Sequence, residues 1–465
     1  MTSTTVTTAT NDTMGGDASN AASTSGPDRL QRVLGTPGLT FYGVGLILGA
    51  GIYSVIGAAG AAAGPWLWIS FVAAAIVALL TALSYAELST MYPRAAAETV
   101  YVEAAFPQRR TLSTATGLLV ALSGIATAST VSLSFAGYLG ALFGFEAGTL
   151  LRIGVAALVL VATTAVVVVG MRESTWLNIV FTLIEASGLV LVVGVCVYGL
   201  VVDDGAAANV AAPVHVGSMG LGIAHAASLV FFSFLGFENI VNLAEEAKSP
   251  TKQVPRAILL SLAIATVLYV VVAVVVTQTL SAQQLGSSDS PLADAVAVTS
   301  PGAARALAAI ALFATANTAL VSLLVTSRLL WGMARDGRLP TAASALTTKG
   351  QTPWVTALAC LVVGVLLLPL GGVDAVAGFS SLAALLAFIV VNVTMIRLRF
   401  KEPDAERTFR VPISIARVPV LPVTGVVASA ALLLALPTPT LAVGGAVVVV
   451  GAVVLKLLSG RAASA

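Results

Sequence analysis

Residues 43–60 read GVGLILGAGIYSVIGAAG, six glycines in eighteen positions within a strongly apolar run. Glycine in a helix interior costs roughly 0.8–1 kcal/mol relative to alanine, so a segment apolar enough to be a buried helix carries its own weak point. Two readings are open. Gly45-x-x-x-Gly49 is a small-xxx-small pattern that lets helices pack closely in lipid. The same glycines also ease local unwinding of the segment. The Gly43-x-Gly45 spacing grazes a dinucleotide fingerprint, but the next glycine falls at the wrong offset and neither a strand nor a ribose-binding acid accompanies it.

Working outward, the 465-residue chain is 58% hydrophobic and 9% charged, whereas about a quarter of a soluble domain is charged. Apolar runs of 18 or more residues recur along it, each long enough to cross a hydrocarbon core of ~30 Å as a helix. The fold class expected is an all-α polytopic membrane protein with the lipid bilayer as its surroundings. The net charge is +2, and no basic cluster is interleaved with aromatics, so nucleic acid is not an expected partner. Cys196 and Cys360 each lie in an apolar stretch, which suits free buried thiols better than a disulfide or metal site. Neither a metal nor a cofactor is expected.

Apolar runs read against Pro, Gly and charge punctuation give twelve spans, roughly 38–62, 66–90, 112–143, 150–169, 175–201, 219–243, 256–280, 303–330, 354–371, 375–397, 419–436 and 439–458. With the N-terminus cytoplasmic, all of the 23 Lys and Arg except Arg152 and Arg305 fall on the cytoplasmic side or at adjoining helix ends, as the positive-inside rule requires. Both termini are then cytoplasmic and the protein sits in the cell membrane. Residues 1–34 are rich in Ser, Thr, Ala and Gly and read as a disordered cytoplasmic tail; they lack the order of a cleavable signal peptide.

A second interruption lies five spans on. SLVFFSFLGFENIVNLAEE, residues 228–246, places Ser233, Gly236, Glu238 and Asn239 in the middle of an apolar run. Matching weak points in segments one and six are what two inverted repeats show when their broken helices meet at a mid-membrane binding site. Unwinding a helix frees backbone N–H and C=O groups that find no partner in lipid, and a bound zwitterion supplies partners for both.

These residues resemble the amino acid-polyamine-organocation (APC) transporter superfamily. GVGLILGAGIYSVIG is similar to its first-helix signature, and FFSFLGFENIVNLAEEAKSPTKQVPRAI to its sixth helix and following loop. SYAELSTMYPRAAAETVYVEAAF resembles the end of helix two and the loop beyond, with Ala96-Ala97 where the family usually has Gly-Gly or Gly-Ser, and SRLLWGMARDGRLP resembles the end of helix eight. The resemblance implies the fold of the bacterial leucine transporter: twelve transmembrane helices in a 5+5 inverted repeat with discontinuous helices 1 and 6, plus two extra C-terminal helices. It divides the chain into the tail (1–34), a first repeat (35–201), a second repeat (202–400), and helices eleven and twelve with a short cytoplasmic C-terminus (401–465).

The resemblance further implies a substrate carboxylate at the N–H groups of Ala50 and Gly51 and the Ser54 region. It places the α-ammonium at the carbonyls of Ile47, Phe232 and Leu235, with Phe232 as an aromatic gate and Ser233 and Gly236 lining the break. Glu238, after the break, either stabilises a half-helix N-terminus or titrates during transport. Asn178, Thr182 and Glu185 share a face at i, i+4 and i+7. Glu185 stands where some proton-coupled members have a lysine, so it reads as a proton carrier, as a holder of a cation near helix one, or as a neutral hydrogen-bonded tie between helix five and the unwound part of helix one. Ser123, Thr127, Thr130 and Ser134 form one polar stripe, and Thr315, Thr318 and Ser322 another with Asn317 near by; hydroxyls of this kind also commonly bond the preceding turn. In the loop after helix six, Glu245, Glu246, Lys248 and Arg256 are either a solvated charged run or, by the resemblance, an inner gate of ion pairs.

The function expected is secondary active transport of amino acids by alternating access, as proton symport, with amino acid/polyamine exchange, sodium coupling or non-transporting sensing as alternatives. An ATP-driven pump is disfavoured because no Walker loop is present. An enzyme is not expected, since His215 and His225 have no metal-ligand spacing and no nucleophile–base set lies within the spans. The lining leans toward neutral or small amino acids and the charged loop toward cationic ones. A monomer or homodimer is expected.

Overall fold

In a computed structural model of the chain, residues 34–93, 97–145, 148–169, 175–202, 219–347 and 352–447 are described. All but the last residue of the expected tail, together with His215 and the end of the twelfth expected span, lies outside them.

The glycine-rich stretch divides into α1 (Thr36–Leu48) and α2 (Gly51–Ala63), separated by Gly49 and Ala50. Gly64, at φ +53°, then turns the chain through a short 3-10 turn into α3 (Leu67–Met91). A short helix, α4 (Ala97–Ala105), precedes α5 (Arg110–Phe143), α6 (Thr149–Val169) and α7 (Thr175–Val202). Their ends match the expected spans within two residues.

The sixth segment is interrupted in the stretch where the polar residues fall. It begins as α8 (Met219–Val230) but continues as 3-10 helix over Phe231–Phe234 and Phe237–Glu246. Leu235 is extended (φ −64°, ψ 141°) and Gly236 lies at φ +124°, a conformation that residues with a Cβ rarely adopt. A long 3-10 run is uncommon and often marks a functional hinge.

Proline heads the next elements, where its missing N–H is harmless: α9 (Pro250–Thr279), α11 (Pro291–Thr299) and α12 (Pro301–Arg335). Between α9 and α11, α10 (Ala282–Ser287) starts at a Ser281/Gln284 capping box. α13 (Trp354–Leu367) and α14 (Val373–Lys401) follow, then a two-stranded hairpin of β1 (Ser414–Ile415) and β2 (Val418–Pro419), α15 (Val420–Leu434) and a helix at Thr438–Val447.

Among the described residues, eight helices are long and apolar enough to cross a membrane, or nine if the pair Val420–Leu434 and Thr438–Val447, bent by 112°, is one span. The sequence reading expects twelve. The difference lies at the breaks: Gly51–Met91 counts as one stretch of 41 residues, and Thr36–Leu48 and Trp354–Leu370 are short.

The packing is paired. α5 lies against α12, and α3 against α9. α1 meets α7 and α9, as α8 meets α14 and α3; α7 meets α12 and α9, as α14 meets α5 and α3. α4 packs on α5 and α14, as α11 packs on α12 and α7.

Candidate functional site

The two interruptions touch. A Cβ on Gly51 would lie 2.7 Å from the Cα of Ser233, and one on Gly236 would lie 2.6 Å from the carbonyl oxygen of Leu46. Only bare backbone permits this approach. One side chain links both breaks: the Tyr269 hydroxyl on α9 lies 2.5 Å from the Ile47 carbonyl and 3.1 Å from that of Ser233. A tyrosine hydroxyl buried in an apolar span must find an acceptor, and unwound backbone provides one. That rule was the available signal for Tyr269, which the motif reading passed over.

Several groups expected to be open to a ligand have protein partners. The Ala50 N–H donates to Thr318 Oγ1 at 2.8 Å. Of the three expected ammonium acceptors, the Ile47 carbonyl accepts from Tyr269 and the Phe232 carbonyl from the Leu235 N–H at 3.2 Å. Ser54 bonds back to the Ala50 carbonyl at 2.7 Å. The Ser233 hydroxyl is buried and has no hydrogen-bond partner among the described residues. Gly51 begins α2, and the first N–H groups of a helix have no intrahelical acceptor.

A cavity opens beside the breaks. Ile47, Gly51, Phe232, Leu235, Gly236 and Glu238 line one side, together with Asn239; Ser123, Thr127, Asn317, Thr318 and Ser322 line the other. Val120, Val321, Val325 and Leu329 also line it. Ala50, Ser233 and Thr130 are buried but do not line it. Thr130 bonds the Ala126 carbonyl one turn back at 2.8 Å, and Thr315 does the same to Ala311. The stripe on α5 is held to α14 by Ser380, whose hydroxyl lies 3.1 Å from Ser123 Oγ and 2.9 Å from Thr127 Oγ1. Ser380 was missed because its partners are some 250 positions away in sequence.

The acids separate by geometry. Glu238 Oε2 accepts the Gly236 N–H at 2.8 Å, stabilising the start of the second half-segment, where an anion is favoured. Glu185 is buried on α7. Its Oε1 accepts from Asn317 Nδ2 of α12 at 2.9 Å, and its backbone carbonyl accepts from Tyr53 of α2 at 3.0 Å. The tie to helix one expected of its side chain is thus made by its backbone, while Oε2 has no hydrogen-bond partner among the described residues. Thr182 reaches α1 at the Phe41 carbonyl, 3.4 Å away; the Asn178 side chain lies outside those described.

At the face where α1 begins, Leu34 bridges Ala247, and the Lys248 N–H donates to the Leu34 carbonyl at 2.9 Å. The segment entering helix one is thereby joined to the one leaving helix six. The Lys248 and Arg256 side chains are exposed, and those of Glu245 and Glu246 lie outside the described ones. The ion pairs described on this face involve other residues. Glu87 of α3, fully buried, contacts Arg399 at 2.5 Å and Arg407 at 2.9 Å, and Glu103 pairs with Arg338.

Sequence comparison agrees with this architecture. Residues 34–458 match the family described as amino acid permease. The chain belongs to that family, within the APC superfamily. The permease is 31% identical to the branched-chain amino acid permease BcaP of Bacillus subtilis, over 86% of its own length and 87% of the relative's. It is 29% identical to the methylthioribose transporter of Bacillus subtilis, over 85% and 86%. It is 30% identical to the human cationic amino acid transporter 4, over 80% of its own chain and 60% of the relative's. With these relatives and its apolar helices, the permease is a multi-pass membrane transport protein.

Proposed function

We propose that this permease is a secondary active transporter of neutral, small or aliphatic amino acids, working by alternating access in the cell membrane with both termini cytoplasmic. The observation that carries this reading is the cavity, in which the two touching backbone breaks and the side chains of Val120, Val321, Val325 and Leu329 line one space. Backbone donors and acceptors suit the common amino acid zwitterion, and the valines and leucine suit an apolar side chain. The one carboxylate lining the cavity among the described residues, Glu238, is already engaged with Gly236, which argues against a dedicated site for a cationic side chain. The name of the bacterial branched-chain relative agrees with this; that of the human cationic relative favours the alternative, in which Glu238 receives a cation.

Twelve helices in a 5+5 inverted repeat are supported by packing pairs that recur five spans later, among them α1–α7 with α8–α14, α7–α12 with α14–α5, and α4–α5 with α11–α12. Proton symport is supported by the buried Glu185 carboxylate beside Asn317, because ionisable groups within membrane helices mark ion pathways. Exchange and sodium coupling are the alternatives. Uptake of a labelled amino acid panel into proteoliposomes, with proton and sodium gradients imposed separately, tests the reading. Preferred uptake of branched or small neutral amino acids driven by a proton gradient supports it; preferred uptake of lysine or arginine, or dependence on sodium alone, overturns it.

A further inference from the structure

Between α14 and α15 the chain forms a structure with no place in the transport reading. The segment after Lys401 returns through the β1–β2 hairpin, in which Ser414 pairs with Pro419 and Ile415 with Val418. The Val420 N–H closes its base on the Ile413 carbonyl at 3.1 Å. Ile413 and Ala416 both lie at positive φ, 61° and 54°, and for a β-branched residue this is a strained conformation. Both isoleucines of this segment are exposed, Ile413 to 63% and Ile415 to 72%. Exposed Arg410 and Arg417 flank them.

The base of this hairpin is held rigidly. Val411 donates its N–H to Glu87 Oε2 at 2.7 Å and accepts from Arg399 at 3.3 Å. Glu87 lies near the end of α3, and Arg399 in the last turn of α14. Immediately beyond the hairpin, Val420 begins α15. The tip therefore stands where apolar helices end, at the depth at which a bilayer passes from acyl chain to headgroup. Apolar side chains flanked by cations match that zone, with alkyl groups entering the acyl boundary and guanidiniums meeting phosphates.

We propose that the 413–418 hairpin is a membrane-interface hook, with Ile413 and Ile415 inserted among lipid chains and Arg410 and Arg417 on the phosphates of anionic phospholipid. Its partner is the bilayer that surrounds the protein. Lipid charge at this point is mechanically linked, through Val411, to the buried Glu87–Arg399 pair and so to the ends of α3 and α14.

The test uses full-length protein with Ile415→Cys carrying an environment-sensitive fluorophore; the native Cys196 and Cys360 are buried, and unmutated protein gives the labelling background. Labelled protein is reconstituted in phosphatidylcholine vesicles with and without phosphatidylglycerol. The expected result is quenching by brominated lipid, shielding from aqueous iodide, and about twofold stronger lipid quenching when phosphatidylglycerol is present. Arg410→Gln with Arg417→Gln should abolish that gain while leaving the unfolding temperature unchanged. Two results overturn the proposal: a label open to iodide in both vesicle types, or a label shielded from both quenchers, which would mean that protein covers the hairpin. Lipid quenching indifferent to phosphatidylglycerol and to the arginines would overturn the assignment of anionic phospholipid.

Discussion

The Thr318 hydroxyl accepts the N–H of Ala50 at 2.8 Å, so a side chain of α12 occupies the backbone donor at which a ligand carboxylate is expected to bind. Under the proposed substrate site, a carboxylate binding at Ala50 would have to displace Thr318 from that donor. Replacing Thr318 with Val leaves that donor unpaired, at about 1–3 kcal/mol for a buried group. The unfolding temperature of the substrate-free variant should fall, and saturating amino acid should raise it by more than in the parent protein. Equal ligand-induced shifts in the two proteins would refute that displacement.

Gly236→Ala combines a φ of +124° with a Cβ 2.6 Å from the Leu46 carbonyl oxygen. Strain of this kind costs on the order of 1–3 kcal/mol, and the two breaks would be forced apart. Amino acid uptake should be lost even in variant protein that still folds, as judged by gel filtration in detergent. Uptake at the parental rate would show that the contact between breaks is dispensable.

Glu185→Gln keeps the hydrogen bond from Asn317 and removes the titrating group. Under the proton-carrier reading, uptake should no longer respond to an imposed proton gradient, while counterflow exchange of labelled for unlabelled substrate persists. Unchanged gradient dependence would leave Glu185 a structural residue.

Glu87→Gln leaves Arg399 and Arg407 close together without their shared anion. Removing one partner from a buried ion pair typically destabilises by ~3–5 kcal/mol, and here the loop anchored at Val411 also loses a charged acceptor. A substantial fall in unfolding temperature is expected. Glu87→Gln combined with Arg399→Met should recover part of it, which a double-mutant cycle would measure.

Glu98 lies on α4, outside the spanning helices, and accepts a hydrogen bond from Tyr85 at 3.1 Å. Burial raises its pKa from 4.5 to about 7, with its own backbone N–H and Tyr85 opposing the rise. A carboxyl with a raised folded-state pKa stabilises the fold at pH below its unfolded value, and this contribution is lost as pH rises through the folded value. Between about pH 4.5 and 7, the parent protein should therefore lose stability relative to Glu98→Gln as pH increases. Parallel unfolding-temperature profiles for the two proteins would contradict this assignment.

Much of the fold was legible because lipid imposes simple rules on apolar length and charge. The starts and ends of α3 and α5 to α7 could be read from runs and punctuation, and the glycine-rich stretch 43–60 and the polar residues around Gly236 announced the breaks. What resisted reading was long-range or conformational. The hydroxyls of Thr127 and Thr130 look equivalent in the sequence, yet Thr127 lines the cavity and meets Ser380, whereas Thr130 only bonds its preceding turn. One helical turn separates the two positions, but neighbouring helices decide which hydroxyl is used. Likewise, nothing local in the apolar stretch LAIATVLYVVVAV indicates that its tyrosine reaches two carbonyls on different segments.

Tyr269 also places a stoichiometric limit on the site. A phenol has one proton to give, and here two carbonyls from separate half-segments face it. Whenever the proton points at one of them, the other is short of a donor. Ile47 and Ser233 are therefore rival claimants, and a ligand ammonium arriving at either carbonyl would send the phenolic proton to the other. The binding of a small cation on one half of the molecule would thus be registered as a hydrogen bond on the other half, without any change in backbone conformation.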